Sequence, residues 1–338
     1  MKNSVFLGTV AAAALVAGFA SAGTLDDVKA RDQLICGVNT GLTGFGAPDA
    51  NGNYQGFDVA LCKALGAAIL KDQNKVKYVG LSGETRFTAL ASGEVDVLIR
   101  NSTWTFSRDT DLKLDTVAVN YYDGQGFMVK KELGVSSAKE LNGATICIQT
   151  GTTTELNLAD YFKANNMTYN PVTVLDDSEG QRQYIAGACD AYTTDASGLA
   201  AIRASLPDRD NHIILPEIVS KEPLGPMVRH GDNNWGDIVR WTFFALVAAE
   251  EYGITSANVE ETATSSQNPE VKRILGVEGD LGAMIGLDKE WAKRAIAATG
   301  NYGEIFEANI GAATPIGLAR GLNAQWTQGG LLYAPPFR

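Results

Sequence analysis

The chain has 338 residues, of which 45% are hydrophobic and 20% are charged, so its composition is that of a globular protein rather than a disordered one. Its 28 basic and 39 acidic residues give a formal net charge of −11, which argues against nucleic-acid binding and against docking on anionic lipid. His212 and His230 lie apart, no zinc-spaced Cys/His set is present, and neither a Walker A loop nor a Rossmann glycine fingerprint occurs. We therefore expect no metal and no nucleotide cofactor in a chain of about two domains.

The first 22 residues have the pattern of a secretory signal peptide. Lys2 precedes an apolar stretch over residues 5–19, and Ala20-Ser21-Ala22 forms an A-x-A cleavage site, so the mature chain is expected to start at Gly23. A membrane anchor is the alternative, and it is less favoured because the apolar core is short and lacks a stop-transfer flank. The pattern predicts an exported, periplasmic protein that is not inserted in the membrane.

The cysteine content fits export. Cys36, Cys62, Cys147 and Cys189 form an even set, and an oxidising compartment favours disulfides over buried thiols. Four cysteines allow three pairings. The pairing that keeps each bond within one half of the chain joins Cys36 to Cys62 and Cys147 to Cys189.

Hydrophobic periodicity predicts two successive series of strands and helices, followed by a helical C-terminal region. In the first series, strands are predicted at 33–38, 76–81 and 95–99, with helices at 57–70 and 84–92. In the second series, strands are predicted at 127–129, 144–149, 169–175 and 189–193, with helices at 152–164, 179–187 and 195–204. The C-terminal helices are predicted at 235–251, 268–275, 288–298 and 302–310.

Alternating strands and helices predict parallel-type sheets flanked by helices, and two such units in one chain predict an α/β protein of two lobes with a cleft between them. Residues 121–126 and 224–228 lie between the units and are candidate hinge strands. We therefore assign residues 23–123 and 229–338 to lobe 1 and residues 124–228 to lobe 2. Ligands of open α/β sheets bind beyond the carboxyl ends of strands, so the cleft is the expected site.

A first polar cluster follows the last strand of the first series. Asn101 and Thr103 come just after the strand, and Arg108 is close behind them. A guanidinium fork with hydroxyl and backbone donors nearby suits a carboxylate, which accepts two parallel charge-assisted hydrogen bonds. The alternative is a surface arginine paired with Asp109 or Asp111.

Two further clusters lie at strand-to-helix turns of the second series. Thr152 and Thr153 follow Gly151, where the free N–H groups and the dipole of a helix N-terminus attract an anion, although an ordinary helix cap gives the same pattern. Asp195 also follows a strand and is placed to receive an ammonium group, although an N-cap aspartate is common there. A cation, an anion-binding helix N-terminus and a carboxylate together complement the two opposite charges of a zwitterion.

The motifs of the chain resemble those of the polar amino-acid family of periplasmic solute-binding proteins that feed ABC importers, over about residues 24–251. The carrying residues are Cys36-Gly37-Val38, Gly56-Phe57-Asp58-Val59-Ala60-Leu61-Cys62-Lys63, Arg86-Phe87-Thr88-Ala89-Leu90, Gly93-Glu94-Val95-Asp96, and the segments 101–108, 149–153 and 190–195. The segments 121–129 and 301–307 are most similar to the general L-amino-acid-binding branch, which carries a helical C-terminal extension.

The resemblance implies a type II periplasmic-binding-protein fold, a monomer, an L-amino-acid ligand and delivery to the subunits of an ABC permease. By resemblance, Arg108 clamps the ligand α-carboxylate, Thr103 adds a hydroxyl and backbone contact, and Asn101 offers a carbonyl to the ammonium. Thr153, together with the Thr152 region, donates to the carboxylate from lobe 2, and Asp195 pairs with the α-ammonium. The ligand is then held by both lobes, so that binding favours the closed state.

The resemblance also assigns supporting residues and shows departures. Asp58 has a structural role in the family, and Phe45 falls near the aromatic wall of the family's pocket. The chain has Leu42 where many relatives have an aromatic, Arg100 and Asn101 where they have small serines, and a bulky Trp104. These departures leave the side-chain specificity open and suggest a broad one.

Two other functions use the same scaffold. An exported cyclohexadienyl or arogenate dehydratase needs an additional acid in the cleft, for which Glu84, Glu155 and Glu179 are available, but each is also an ordinary helix-start carboxylate. An intact Asp195 favours the amino-acid ligand and a binding protein rather than an enzyme. A ligand-sensing partner of a membrane receptor closes in the same way, and the sequence does not separate it from a transport protein.

Overall fold

A computed structural model describes residues 23–338, and the expected signal peptide at 1–22 lies outside the described residues. The strands follow the chain from the first lobe to the second and back. In chain order they are β1 (Leu34–Asn39), β2 (Ala47–Pro48), β3 (Tyr54–Gln55), β4 (Val76–Leu81), β5 (Val97–Leu98), β6 (Leu114–Thr116), β7 (Tyr121–Asp123), β8 (Gln125–Lys130), β9 (Thr145–Gln149), β10 (Asn170–Val174), β11 (Ala191–Asp195), β12 (His212–Ile214), β13 (Glu222–Leu224) and β14 (Met227–Arg229).

The helices flank the sheets and then form the C-terminal region. In chain order they are α1 (Thr24–Arg31), α2 (Phe57–Leu70), α3 (Arg86–Ser92), α4 (Phe106–Thr110), α5 (Thr153–Ala164), α6 (Asp177–Ile185), α7 (Ala196–Ser205), α8 (Asn233–Glu251), α9 (Val259–Ser265), α10 (Pro269–Ile274), α11 (Leu281–Met284), α12 (Trp291–Thr299) and α13 (Tyr302–Asn309). Within the described part of the chain, no helix is both long enough and apolar enough to cross a bilayer.

Each lobe is built on one five-stranded sheet. The first has the strand order β4-β1-β5-β14-β6, and the second has the order β10-β9-β11-β8-β12. In the first sheet β1 pairs in parallel with β4 and β5, whereas β14 runs antiparallel to β5 and β6. In the second sheet β9 pairs in parallel with β10 and β11, whereas β8 runs antiparallel to β11 and β12.

Both sheets are therefore mixed, and the expectation of parallel-type sheets is wrong for the strands nearest the hinge. A parallel neighbour requires a crossover, usually a helix. β8 and β14 enter their sheets directly from the hinge, without a preceding crossover helix, and so run against their neighbours. The two-lobed α/β fold with C-terminal helices is confirmed.

The hinge is a two-stranded antiparallel ribbon. β7 pairs with β13, with Tyr121 opposite Leu224, and each strand leads directly into one of the two sheets. An isolated bridge between Thr103 and Leu224 ties the loop after β5 to this ribbon. The strands change sheets at the predicted hinge segments; the lobe limits 23–123, 124–228 and 229–338 stay a prediction.

The core of lobe 1 joins the sheet to the C-terminal helices. α2 is mostly apolar and is buried on most of its surface, and it packs against α12 and α8. The aromatic rings of Phe45, Phe57, Tyr121 and Phe306 form a contiguous cluster around α2, in which the centres of contacting rings are 5.7–6.5 Å apart. The C-terminal extension is thus part of the lobe 1 core.

Each lobe carries one disulfide. Cys36 on β1 pairs with Cys62 on α2, and Cys147 on β9 pairs with Cys189, which precedes β11. The Cα–Cα distances of 6.2 Å and 5.6 Å lie in the usual range for a disulfide. Both predicted pairings are confirmed.

Candidate functional site

A cavity lies in the cleft between the lobes, where strands of both sheets end. Its position agrees with the rule that ligands of open α/β sheets bind beyond the carboxyl ends of strands. The cavity is lined by Asn39, Leu42, Arg86, Arg100, Asn101, Thr103, Gln149, Thr152, Thr153, Thr154, Asp177, Thr194, Asp195 and Gly198. Of the ligand-binding residues predicted from the sequence, Asn101, Thr103, Thr152, Thr153 and Asp195 are among them.

The two lobes touch across this cleft. The Asn39 side-chain amide donates to Asp177 at 3.0 Å, and the Thr150 hydroxyl donates to Glu84 at 2.8 Å. Arg86 reaches the carbonyl of Gly151 at 3.5 Å. The residues from lobe 1 and lobe 2 that line the cavity are therefore held together in a closed arrangement.

The loop after β5 is shaped by a buried carboxylate. Asp58, at the start of α2, accepts hydrogen bonds from the Asn101 backbone N–H and the Asn120 side chain, both at 3.3 Å. Asn101 has a φ of +34°, a left-handed conformation that this contact helps to hold. Burial raises the pKa of Asp58 to about 7. Asp58 thus supports the cavity from behind, in agreement with the structural role that the resemblance implies.

Arg108 lies behind the cavity wall rather than on it. Its guanidinium donates to the carbonyl of Thr103 at 2.8 Å and stacks 4.7 Å from the ring centre of Phe87. Burial lowers the pKa of Arg108 to about 10, and the carboxylates of Glu222 and Asp195 oppose that shift. The guanidinium contributes positive charge at this end of the cavity.

Arg86 and Arg100, which the sequence did not single out as binding residues, do line the cavity. Arg86 donates to the Asn101 carbonyl at 3.3 Å, and Arg100 donates through Nε to the Leu81 carbonyl at 2.9 Å. The Nε of Arg86 and the Nη2 of Arg100 are buried without a hydrogen-bond partner. Burial lowers the pKa of both groups. The cavity therefore offers two unused cationic donors.

The N-terminus of α5 faces the cavity with its first-turn N–H groups free of a side-chain cap. Thr152 occupies the N-cap position, but its hydroxyl donates to the Gln149 carbonyl at 2.7 Å instead of accepting from the helix. The ordinary cap that threonine allows at this position is thus not formed. Uncapped N–H groups at a helix N-terminus favour an anion.

Asp195 ends β11 and precedes α7, and its carboxylate makes no capping bond to that helix. Burial in the cleft and the nearby carboxylates of Asp123 and Glu222 raise its pKa well above the usual value. The same effects raise the pKa of Asp123 to about 6, although Ser197 donates to it. A cation placed beside Asp195 relieves this repulsion, which fits a ligand ammonium group.

Glu222, on the hinge strand β13, is a buried centre of hydrogen bonds that sequence reasoning missed. It is 1% exposed and accepts from Thr103 at 2.5 Å, Thr153 at 2.9 Å, Asn157 at 2.7 Å and Ser220 at 2.6 Å. Its donors are 119, 69, 65 and 2 residues away in sequence, so only Ser220 is a local signal.

The Glu222 contacts change what the two threonines offer to a ligand. Each hydroxyl has one proton, and both Thr103 and Thr153 donate theirs to the same Glu222 oxygen. The hydroxyls therefore present lone pairs to the cavity. In this arrangement both hydroxyl protons are already used, and the predicted donation from Thr103 and Thr153 to a ligand carboxylate stays a prediction.

The predicted aromatic residues lie away from the cavity. Phe45 is 1% exposed and packs edge-to-face on Phe57 and Tyr121 in the lobe 1 core. Trp104 is 46% exposed, and its indole N–H donates to Asp109 at 3.0 Å on the outer surface. The sequence shows that these rings are present but not which way they face. The apolar side chain that does line the cavity is Leu42.

A comparison with known protein families identifies the family of the chain. The sequence model described as bacterial extracellular solute-binding proteins, family 3, matches residues 34–258. The chain belongs to this family. The match spans both sheets and the hinge, and the C-terminal helices beyond α8 lie outside it.

Individual relatives cover the whole chain. The glutamate/glutamine/aspartate/asparagine-binding protein BztA of Rhodobacter capsulatus is 78% identical over 338 residues, which is 100% of both chains. The general L-amino acid-binding periplasmic protein AapJ of Rhizobium johnstonii is 58% identical over 342 residues, again covering 100% of both. Both are named as binding proteins and not as enzymes, which decides against the dehydratase alternative.

A solved structure shows the same fold. An ABC transporter periplasmic binding protein from Brucella ovis with glutathione bound is 58% identical, with a TM-score of 0.91, and the match covers 94% of this chain and 100% of that one. The type II fold with its C-terminal helices is therefore shared over nearly the full length.

Proposed function

We propose that this chain captures polar L-amino acids between its two lobes in the periplasm and delivers them to the membrane subunits of an ABC permease. The observation that carries the proposal is the set of opposite charges withdrawn from solvent around the cleft cavity. Buried Arg86 and Arg100 face it from lobe 1, and buried Asp177 and half-buried Asp195 face it from lobe 2. Buried charges are stable only when they are paired, and a zwitterionic amino acid supplies both partners.

The ends of the ligand follow from this charge distribution. The α-carboxylate lies at the uncapped N-terminus of α5, with Arg108 and Arg86 as the neighbouring cations. The α-ammonium lies beside Asp195, with the lone pairs of the Thr103 and Thr153 hydroxyls as further acceptors. These groups come from both lobes, so only the closed state completes the set, and ligand binding favours closure.

The relatives support a polar side chain and export. The names of BztA and AapJ specify glutamate, glutamine, aspartate and asparagine in one case and general L-amino acids in the other, and AapJ is named as periplasmic. The expected signal peptide at 1–22 gives this chain a route to the same compartment. A signalling partner in place of the permease remains the alternative that gene neighbours distinguish.

Glutathione is a second candidate ligand. The Brucella ovis relative carries glutathione, whose γ-glutamyl end presents the same α-ammonium and α-carboxylate as an amino acid. The groups that hold an amino acid at Asp195 and α5 are suited to that end of the peptide as well.

The test is isothermal titration calorimetry on mature protein refolded to strip bound ligand, against the proteinogenic L-amino acids, their D-forms and glutathione. We expect binding of L-glutamate, L-glutamine, L-aspartate or L-asparagine, and weak or absent binding of the D-forms. Arg108→Ala is expected to cost about 2–5 kcal/mol of binding because it removes a buried positive charge from behind the cavity wall at the carboxylate end.

The matched control is Arg209→Ala, which removes an exposed arginine that does not line the cavity and should leave affinity within twofold. If no L-amino acid and no glutathione binds the folded wild type, the proposed function is wrong. If Arg108→Ala binds as tightly as Arg209→Ala, the carboxylate assignment is wrong.

A further inference from the structure

Arg100 is a buried cation of the cavity, and the groups proposed to bind the α-carboxylate and the α-ammonium do not include it. Arg100 is 3% exposed, its Nε is held by the Leu81 carbonyl, and its Nη2 is buried without a partner. An unpaired buried donor is costly, so the structure favours an acceptor in the adjoining cavity. Leu81 ends β4, so Arg100 is anchored at the carboxyl end of a lobe 1 strand.

A buried carboxylate on lobe 2 lines the same cavity. Asp177, the first residue of α6, is 7% exposed, and one of its oxygens accepts from Asn39 at 3.0 Å. That hydrogen bond crosses between the lobes, so Asp177 reaches this position when the lobes close. Among the charged groups that act on Arg100, Asp177 is the one that most strongly favours its cationic form.

Arg100 and Asp177 therefore present a donor and an acceptor to one cavity, from opposite lobes. Within residues 23–338, which the structure describes, Arg100 and Asp177 do not approach within 4.0 Å to form an ion pair. A group that fits between them offers an acceptor to the arginine and a donor to the aspartate. A side-chain carboxamide has one oxygen acceptor and one NH2 donor on the same carbon.

We propose that Arg100 and Asp177 form the side-chain subsite of the cleft and that it reads a carboxamide, the amide oxygen accepting from Arg100 and the amide NH2 donating to Asp177. The proposal rests on the proposed function, because the α-groups at Asp195 and α5 orient the side chain. A carboxylate side chain keeps the contact with Arg100 but turns its second oxygen toward Asp177 as a like charge. The subsite thus favours glutamine over glutamate and asparagine over aspartate, while an apolar side chain leaves Arg100 unpaired.

The test compares L-glutamine and L-glutamate by calorimetry at pH 7.5 in the ligand-stripped wild type, Asp177→Asn and Arg100→Lys. In the wild type, glutamine should bind at least tenfold more tightly than glutamate. Asp177→Asn keeps an oxygen for Asn39 but removes the like charge, so the glutamine-to-glutamate affinity ratio should fall at least tenfold. Arg100→Lys keeps the positive charge but loses the planar guanidinium fork, so the affinity for both ligands should fall at least fivefold.

The matched control is Asp160→Asn, which removes one negative charge from an exposed position of lobe 2 on α5. It should leave both affinities within twofold, and a thermal melt of each variant confirms that the protein is folded. If the wild type binds amino acids but the affinity ratio in Asp177→Asn stays within twofold of the wild-type ratio, the subsite is wrong while the proposed function stands. If the folded wild type binds no amino acid, both fail together.

Discussion

Replacing Glu222 by Gln tests whether the hinge carboxylate ties the lobes together. Four donors converge on this buried side chain at 2.5–2.9 Å, and each bond is charge-assisted. In Glu222→Gln one of the two accepting oxygens becomes an NH2 donor, so two of the four donors lose their acceptor and the other two lose only the charge; at about 1 kcal/mol for each bond the loss is about 4 kcal/mol. Relief of the repulsion with Asp123 and Asp195 offsets about 1 kcal/mol of that loss. We expect a net destabilisation of about 3 kcal/mol.

The assay is guanidinium unfolding at pH 7.5, followed by circular dichroism and by tryptophan fluorescence to detect separate unfolding of the lobes. Small-angle scattering of the ligand-stripped variant should also show a larger radius of gyration, because Thr103 and Thr153 no longer share one carboxylate oxygen. Glu278→Gln, at an exposed position, is the control and should change stability by less than 0.5 kcal/mol. A loss below about 1 kcal/mol in Glu222→Gln, with no change in the scattering, would refute the reasoning.

Three further outcomes are expected. The pKa of Asp195 is raised by burial and by neighbouring carboxylates, so the carboxylate that pairs with the ligand ammonium is lost at a higher pH than for an ordinary aspartate; ligand affinity should fall as pH falls through this pKa, by up to tenfold per unit, and calorimetry over a pH series that shows a constant affinity would contradict this. Replacing Cys147 and Cys189 by Ala should cost about 4 kcal/mol in chemical unfolding, given their separation of 42 residues, and an unchanged midpoint would contradict this. Trp104→Ala should keep ligand affinity within twofold, because the indole lies outside the cavity; a tenfold loss would restore it as a pocket wall.

Strong periodic segments made most of the fold predictable. The helix at 57–70 and the strand at 76–81 have the predicted bounds, because a long apolar helix and a short apolar run next to turn residues leave few alternatives. The short strands β2, β3, β6 and β12 lie outside the predicted elements, since two or three residues carry no period. The direction of β8 and β14 depends on where the chain re-enters a sheet, and no local pattern shows that.

The site was less predictable than the fold, for a physical reason. Polar residues that follow a strand, such as Asn101, Thr103 and Asp195, could be placed in the cleft because strand ends meet there. Burial and orientation are tertiary properties, so the sequence did not show that Phe45 turns into the core or that Arg86 and Arg100 turn into the cavity.

The most direct test of the account is a crystal structure of the ligand-stripped protein in complex with L-glutamine. The account predicts the amino acid in the cleft, with its α-carboxylate at the N-terminus of α5, its α-ammonium beside Asp195 and its carboxamide between Arg100 and Asp177. Glutamine bound outside the cleft, or bound there with its ammonium away from Asp195, would contradict the central claim that these opposite charges recognise a zwitterion.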